Sequence, residues 1–452
     1  MSEAASTLYR AAWVLPVAAP PLNRGAVLVD DSGRIAAVGP ESSIEPPGGS
    51  AVIELGDAIL LPGLVNVHAH PELAMFRGAL EDLRFRDWIL RLVGGRRRTL
   101  GDADFRAAAL WSCLEAMRAG ITTIGATEAS GAAAGAMATL GMRGISYLEL
   151  FGPDPAEASA SLDGYRQSLF THRAFESELV QIGISPHAPY SVSDELYRGA
   201  ADLARSESLP MAVHIAESEP ERRLVRCGDG DFAPGLNSRG IATPPRARTP
   251  IALLESTGVL AERPLLIHCV DVDADDVRMI AESGSTVAHC PIANARLGHG
   301  LAPVPHLLEK GVVVGLGTDS VASNNRLDLL EEARTASLLQ RVALRSYDVL
   351  PAAELLKLCT IDGARALGLQ ERIGTLEPGK DADMCAVSIS GAHLRPVHDP
   401  VAALFHSARA SDVILTMVRG RALYRAGDSL DDRCEEALAT VEEAARRLRE
   451  GS

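Results

Sequence analysis

Hydrophobic residues in the first sixty positions fall in short blocks separated by polar and turn residues. GAVLVD and RIAAVG flank a DSG turn, the pattern of a β-hairpin, and AVIELGDAILLPG continues in the same short-strand style. From about residue 60 the pattern changes. Eight short apolar runs follow: LVNVHAH, ITTIGAT, GISYLEL, VQIGISPHA, MAVHIAE, LLIHC, STVAHC and VVVGLGTDS. Between them lie longer stretches with apolar residues at helical spacing, such as DFRAAALWSCLEAMRAG and DADDVRMIAESG. A strand followed by a helix, eight times over, predicts an α/β chain folded as a parallel (β/α)8 TIM-like barrel. An open doubly wound sheet shares this alternation, but no Gly-x-Gly-x-x-Gly follows an early strand.

After about residue 369 the short-strand style returns in GTLEPGKDADMCAVSI, DVILTMVRG and RALYRAGD. The chain closes on a helix whose stripe of Leu438, Val441, Ala444 and Leu448 is flanked by Glu and Arg. Neither β-rich end is long enough to close a sandwich alone. The expected organisation is therefore a barrel over residues 60–369 beside a small composite β-sandwich made from 1–59 and 370–428, with a C-terminal helix over 429–452. The longest irregular stretch, from Arg222 to Pro250, directly follows the fifth strand. It reads equally as a lid over the strand ends or as a surface excursion.

Composition narrows the function classes. The chain has 452 residues, 47% of them apolar and 23% charged, in the range of a soluble protein with a large core. Its 44 basic and 59 acidic side chains leave a formal charge of −15, and no basic block stands out, so nucleic-acid binding is not expected. The seven cysteines are scattered without a Cys-x-x-Cys pair, which fits a reducing cytoplasm rather than a disulfide framework. Neither an export signal nor an apolar run of about 18 residues is present, so no membrane association is expected.

Candidate chemistry concentrates at the strand ends, where such barrels carry their sites. His68 and His70 close the first strand, His214 lies in the fifth with Glu217 three residues on, His268 ends the sixth, and Asp319 ends the eighth. Three neutral imidazoles and a carboxylate suit a borderline divalent ion, zinc or ferrous iron. A single histidine in an apolar strand is more often a core residue. A whole set of polar groups at one barrel end has no such explanation.

These residues, with LPGLVNVHAH, HIAE, LIHC, AHCPIANARLG, GLGTDS and GTLEPGKDADMC, resemble the amidohydrolase superfamily over nearly the whole chain. Many dinuclear members bridge two metals with a carbamylated lysine on the fourth strand. Here VQIGISPHAPY has no lysine, and the three lysines of the chain lie at or beyond position 310. The resemblance therefore implies a mononuclear member, a group made up mostly of deaminases of nucleobases and related rings. It implies metal ligation by His68, His70, His214 and Asp319, with Glu217, His268 and Asp319 handling protons around the attacking water.

The first loop, HAHPELAMFRGALEDLRFRDWI, resembles that of aminodeoxyfutalosine deaminases of the alternative menaquinone route. GTDSVASN also looks closer to them than to methylthioadenosine and S-adenosylhomocysteine deaminases. The substrate expected is 6-amino-6-deoxyfutalosine, with those two nucleosides, adenosine, or a triazine as alternatives and a metal-free scaffold as the remaining one. Expected substrate contacts are Glu72, Arg77, Trp88, His187 (the position of a ribose-contacting histidine), Asn294 and Ser320. Phe76 and Phe85 read as packing or as base stacking, and His289 accompanies Asn294 on the seventh strand and its loop. The aryl carboxylate of the substrate calls for an arginine: Arg77, Arg296, Arg246 or Arg248. The resemblance also implies a homo-oligomer.

Overall fold

All eight expected runs form strands of the barrel: Leu64–Ala69, Ile121–Glu128, Arg143–Leu150, Val180–Pro186, Ala212–Ile215, Leu265–His268, Thr286–His289 and Val314–Leu316. The computed structural model describes residues 6–450; residues 1–5, with the early acidic Glu3, and 451–452 lie outside the described residues. Strands one to four pair in parallel as one sheet and five to eight as another. Single bridges between Ile184 and Met211 and between Ala69 and Asp319 join the two sheets into a closed ring. The strands are short and almost wholly buried because helices cover them outside, which is why they read as apolar runs rather than as alternating ones. Closure at the first and eighth strands requires a glycine. A Cβ on Gly317 would sit 2.9 Å from the His68 Cβ and 3.0 Å from the His68 carbonyl oxygen.

The two chain ends hydrogen-bond into one eight-stranded sheet. Its seam is the antiparallel pair of Ala58–Pro62 with Met384–Ser388, which sets Ile59 against Val387 and Leu61 against Cys385. The first of these strands crosses residues 59 and 60, so the expected boundary there cuts a strand, and the first barrel strand starts at Leu64. The sheet keeps its own buried cluster, including Tyr9, Val27, Leu60, Met384 and Met417. It is tied to the barrel by Arg143 of the third barrel strand, whose side chain is 1% exposed. The guanidinium donates to Asp381 at 2.8 Å and to Asp383 at 2.7 Å. Both acids come from the C-terminal half of the small domain, so the fit of sheet to barrel is fixed by a desolvated charge cluster in which Arg143 bonds both carboxylates.

The C-terminal helix, Asp432–Glu450, buries Cys434, Ala437, Val441, Ala444 and Leu448, one residue stripe at helical spacing. Leu438 is only part-buried. This stripe shares a cluster with Phe76, Phe85 and Trp88, so the helix supports the loop that follows the first barrel strand. The stretch from Arg222 to Pro250 is less irregular than expected. It contains the end of helix Glu219–Cys227 and the short helix Ala233–Asn237, and Phe232 between them stacks on Tyr190 at 4.3 Å.

Candidate active site

His68, His70, His214 and Asp319 meet at the C-terminal end of the barrel strands. The ligand-capable atoms of the three histidines lie within 4.8 Å of one another. Asp319 Oδ1 is 3.4 Å from His68 Nε2 and 3.5 Å from His70 Nε2. His70 Nε2 and His214 Nε2 are 3.2 Å apart. Burial, and then the neighbouring histidines, holds His70 and His214 well below the ordinary imidazole value, so both are neutral. His68 Nδ1, donating to the Thr127 hydroxyl at 3.1 Å, leaves Nε2 as a lone pair, and that buried Nε2 has no hydrogen-bond partner. Asp319 is held far below the usual carboxylate range: burial works against this, but the nearby His68, 3.4 Å away, and the other imidazoles outweigh it. Converging ring nitrogens around one ionised carboxylate, with His68 Nε2 buried and unpartnered, fit a divalent cation.

The backbone at this end is strained. Ala216, His268 and Asp319 have φ of 50°, 78° and 56°, left-handed conformations that cost non-glycine residues about 1–3 kcal/mol each. Local hydrogen bonds hold them there. Asp319 N–H donates to the His68 carbonyl at 3.0 Å, and its Oδ2 accepts from Ser323 at 2.7 Å. Buried Glu221 accepts the backbone N–H of both Ala216 and Glu217, at 2.7 and 2.9 Å. Glu217 is thereby fixed beside the cluster, 4% exposed. Burial raises its carboxyl, but His268 and His299 lower it further than burial raises it, so it rests ionised. His268 donates from Nδ1 to Asn294 Oδ1 at 2.9 Å and turns Nε2 toward Glu217.

A cavity of about 600 Å³ opens above this cluster. Trp88, His187 and Ser320, expected at the substrate, line it, and so does Phe85. Three expected contacts are elsewhere. Arg77 turns away to pair with Glu115. Glu72 is fully buried behind the wall, accepting from Arg96 at 2.5 Å and from the Ser130 N–H at 3.0 Å. Asn294 sits behind His268. Phe76 is 2% exposed in the packing under the loop. His289 is fully buried with both ring nitrogens unpartnered, held neutral by burial at about 3. The other expected arginines are also engaged: Arg296 by Glu81, Arg246 by Asp194, and Arg248 by Asp273.

Other residues complete the lining. Arg96, stacked 5.0 Å over Phe105, and Glu149, held up at about 8 mainly by burial, form one wall. Glu149 Oε1 is buried without a hydrogen-bond partner and lies 3.8 Å from His187 Nε2. Glu149, His187 and His214 form a second group close enough to hold a cation, sharing one histidine with the first. Phe85, Tyr190 and Phe232 make an aromatic roof, and Arg86 and Arg239 stand at the mouth.

Residues 59–423 match the model of the Amidohydrolase family. The chain is 33% identical to a 5-methylthioadenosine/S-adenosylhomocysteine deaminase of Moorella thermoacetica, over 95% of this chain and 96% of that one. It is also 33% identical to a 5'-deoxyadenosine deaminase of Methanothermobacter thermautotrophicus, over 90% and 91%. Among solved structures, an adenosine deaminase from Xanthomonas campestris with bound zinc superposes with a TM-score of 0.84 at 26% identity, covering 98% of both chains. The matched span includes every barrel strand and the seam of the small sheet, and the metal-ligand cluster lies within it. The chain belongs to the amidohydrolase family.

Proposed function

We propose that this protein hydrolytically deaminates the 6-aminopurine ring of a nucleoside, using one divalent cation held by His68, His70, His214 and Asp319. The observation that carries the reading is the ionised Glu217 fixed beside that ligand set at the floor of a nucleoside-sized cavity. The names borne by the relatives support the 6-aminopurine class. A divalent cation lowers the pKa of a bound water from about 15.7 toward about 7. The remaining steps belong to the side chains. His268, oriented by its Nδ1 contact with Asn294, positions the attacking water beside Asp319. Glu217, resting ionised, takes one of the two protons of that water and delivers it to the ring nitrogen beside the attacked carbon. Asp319 takes the other and returns it to the amino group, which leaves as ammonia as the C–N bond breaks. Ammonia release from a panel of purine nucleosides, pyrimidines and triazines tests the class: turnover confined to triazines would replace it with a ring-displacement hydrolase.

The ion is proposed to be zinc, and single. Metal analysis of the purified protein is expected to give about one ion per chain. Two per chain would instead place a second ion on Glu149, His187 and His214.

For the substrate we propose 6-amino-6-deoxyfutalosine, which extends the nucleoside by an aryl carboxylate. Its support is the first-loop sequence and the cations at the mouth. Arg86 has only Asp87 nearby, at 3.9 Å, and among the described residues the Arg239 guanidinium has no ion-pair partner. Leu90, Val93 and Phe151, 53%, 37% and 44% exposed, offer apolar surface at the same mouth. The relatives' names favour the second reading, in which methylthioadenosine or S-adenosylhomocysteine fills this space. The expected result is a higher kcat/KM for aminodeoxyfutalosine than for adenosine. Neutralising Arg86 and Arg239 should narrow the gap by about 1.5–3 kcal/mol. Equal values for the two nucleosides would leave the broader adenosine-derivative reading. A homo-oligomer is proposed from the family alone.

A further inference from the structure

We propose that His299 is a positioning residue for Glu217, clamping one carboxylate oxygen so that the other faces the substrate. The inference rests on the deaminase reading. His299 lies in the LGHG segment beyond helix Pro291–Arg296, between Gly298 and Gly300, whose φ values of 70° and 112° turn the chain back toward the cavity floor. The residue is held on two sides. Its backbone N–H donates to the Asn294 carbonyl at 2.9 Å, and the ring meets Phe85 at right angles with centroids 4.4 Å apart. It is buried beside Glu217, with Nε2 3.3 Å from Oε1.

The same oxygen faces His268 Nε2 at 3.6 Å. The two histidines are not equivalent. His268 already has one ring nitrogen committed to Asn294, at 2.9 Å, and stands the farther of the two from Oε1. His299 is the nearer ring nitrogen available to Oε1, at 3.3 Å. Among the described residues no hydrogen bond is recorded to Oε2, which remains the atom free to carry the proton. A carboxylate with one oxygen clamped keeps its other oxygen within the narrow range of geometry that proton transfer tolerates. The Nε2 of His299 is buried without a hydrogen-bond partner among the described residues, and Glu217 Oε1 at 3.3 Å is the charged group it faces.

The test compares His299→Phe, which keeps a ring and removes the donor, with His299→Gln, which keeps a donor of similar reach. The expected result for His299→Phe is a kcat lower by about 10–100-fold, with KM within about twofold of wild type and metal content unchanged. His299→Gln should recover most of kcat. In a Glu217→Gln background, His299→Phe should cost nothing further. If His299→Phe does not fold, His299→Asn, whose amide is too short to reach Oε1, takes its place. Undiminished kcat in the donor-free variant, equal losses in the donor-free and Gln variants, or a further loss in the Glu217→Gln background would each overturn the inference. A wild-type enzyme inactive on every nucleoside removes the deaminase reading and this inference together. An active wild type with an undiminished variant removes only the inference.

Discussion

Glu217→Gln is expected to lower kcat by about 10²–10⁴-fold while leaving metal content and nucleoside affinity close to wild type, because the amide keeps the shape but cannot take up a proton. The backbone there does not depend on the side chain: Glu221 holds the N–H groups of Ala216 and Glu217 in either case. Glu217 rests as a carboxylate, since His268 and His299 lower it against the effect of burial. Its role is therefore to accept a proton within the cycle and pass it on, rather than to wait in acid form. The sign for pH follows. A group lowered below its ordinary carboxylate value stays competent through neutral and mildly acidic pH, and its competence is lost only as pH falls through that lowered value. Single-turnover rates with metal analysis on the same samples check the prediction. Activity retained in Glu217→Gln would remove Glu217 from the mechanism.

His70→Ala is expected to lose the bound ion, and activity with it, by at least about 10³-fold; a cation is worth several kcal/mol of transition-state charge stabilisation. The loss should be of the ion and not of the fold. His70 is the most accessible of the ligand set, with a side chain 11% exposed, and it lies at the end of its strand rather than in the packed interior. Without it, His68 Nε2 still faces Asp319, but the pair of imidazole nitrogens 3.2 Å apart is broken. Chelation of the wild type should reproduce the effect, and added zinc should reverse it in the wild type while leaving His70→Ala inactive. Full metal content and activity in His70→Ala would remove that histidine from the ligand set.

What could be read from the chain, and what could not, divides along a physical line. The eight barrel strands are legible because burial on both sides turns each into an apolar run bounded by turns. The proton carriers and ligands are legible because strand ends place His68, His70, His214, Glu217, His268 and Asp319 at one level of the barrel. Loop side chains carry no such period. Arg77 in the first loop and Arg96 on the helix Phe85–Thr99 that follows it stand nineteen residues apart, and nothing in the local sequence shows that one pairs with Glu115 on the outside and the other with Glu72 against the cavity. Glu72 was legible as unusual for its place after HAH, but its partner decides its job. Glu149 sits mid-run in GISYLELFG, a polar residue in an apolar strand with no ligand or base beside it in sequence to mark its role. His299 is hidden for a different reason: only the reversal at Gly298 and Gly300 brings it back to Glu217. The aromatic roof depends on Phe232, inside the stretch that looked irregular.

The Arg143 cluster bears on where this protein could be shortened. Its two carboxylate partners, Asp381 and Asp383, arrive more than two hundred residues later in the chain, after the last barrel strand is complete. A fragment ending near residue 370 would contain every proposed ligand and proton carrier, yet it would strip the Arg143 guanidinium of both carboxylates that fix it. It would also strand Ala58–Pro62 without the partner that closes its edge. The catalytic barrel is thus not a separable module carrying an ornamental appendage. During synthesis, the ring must wait for its own tail before it can settle.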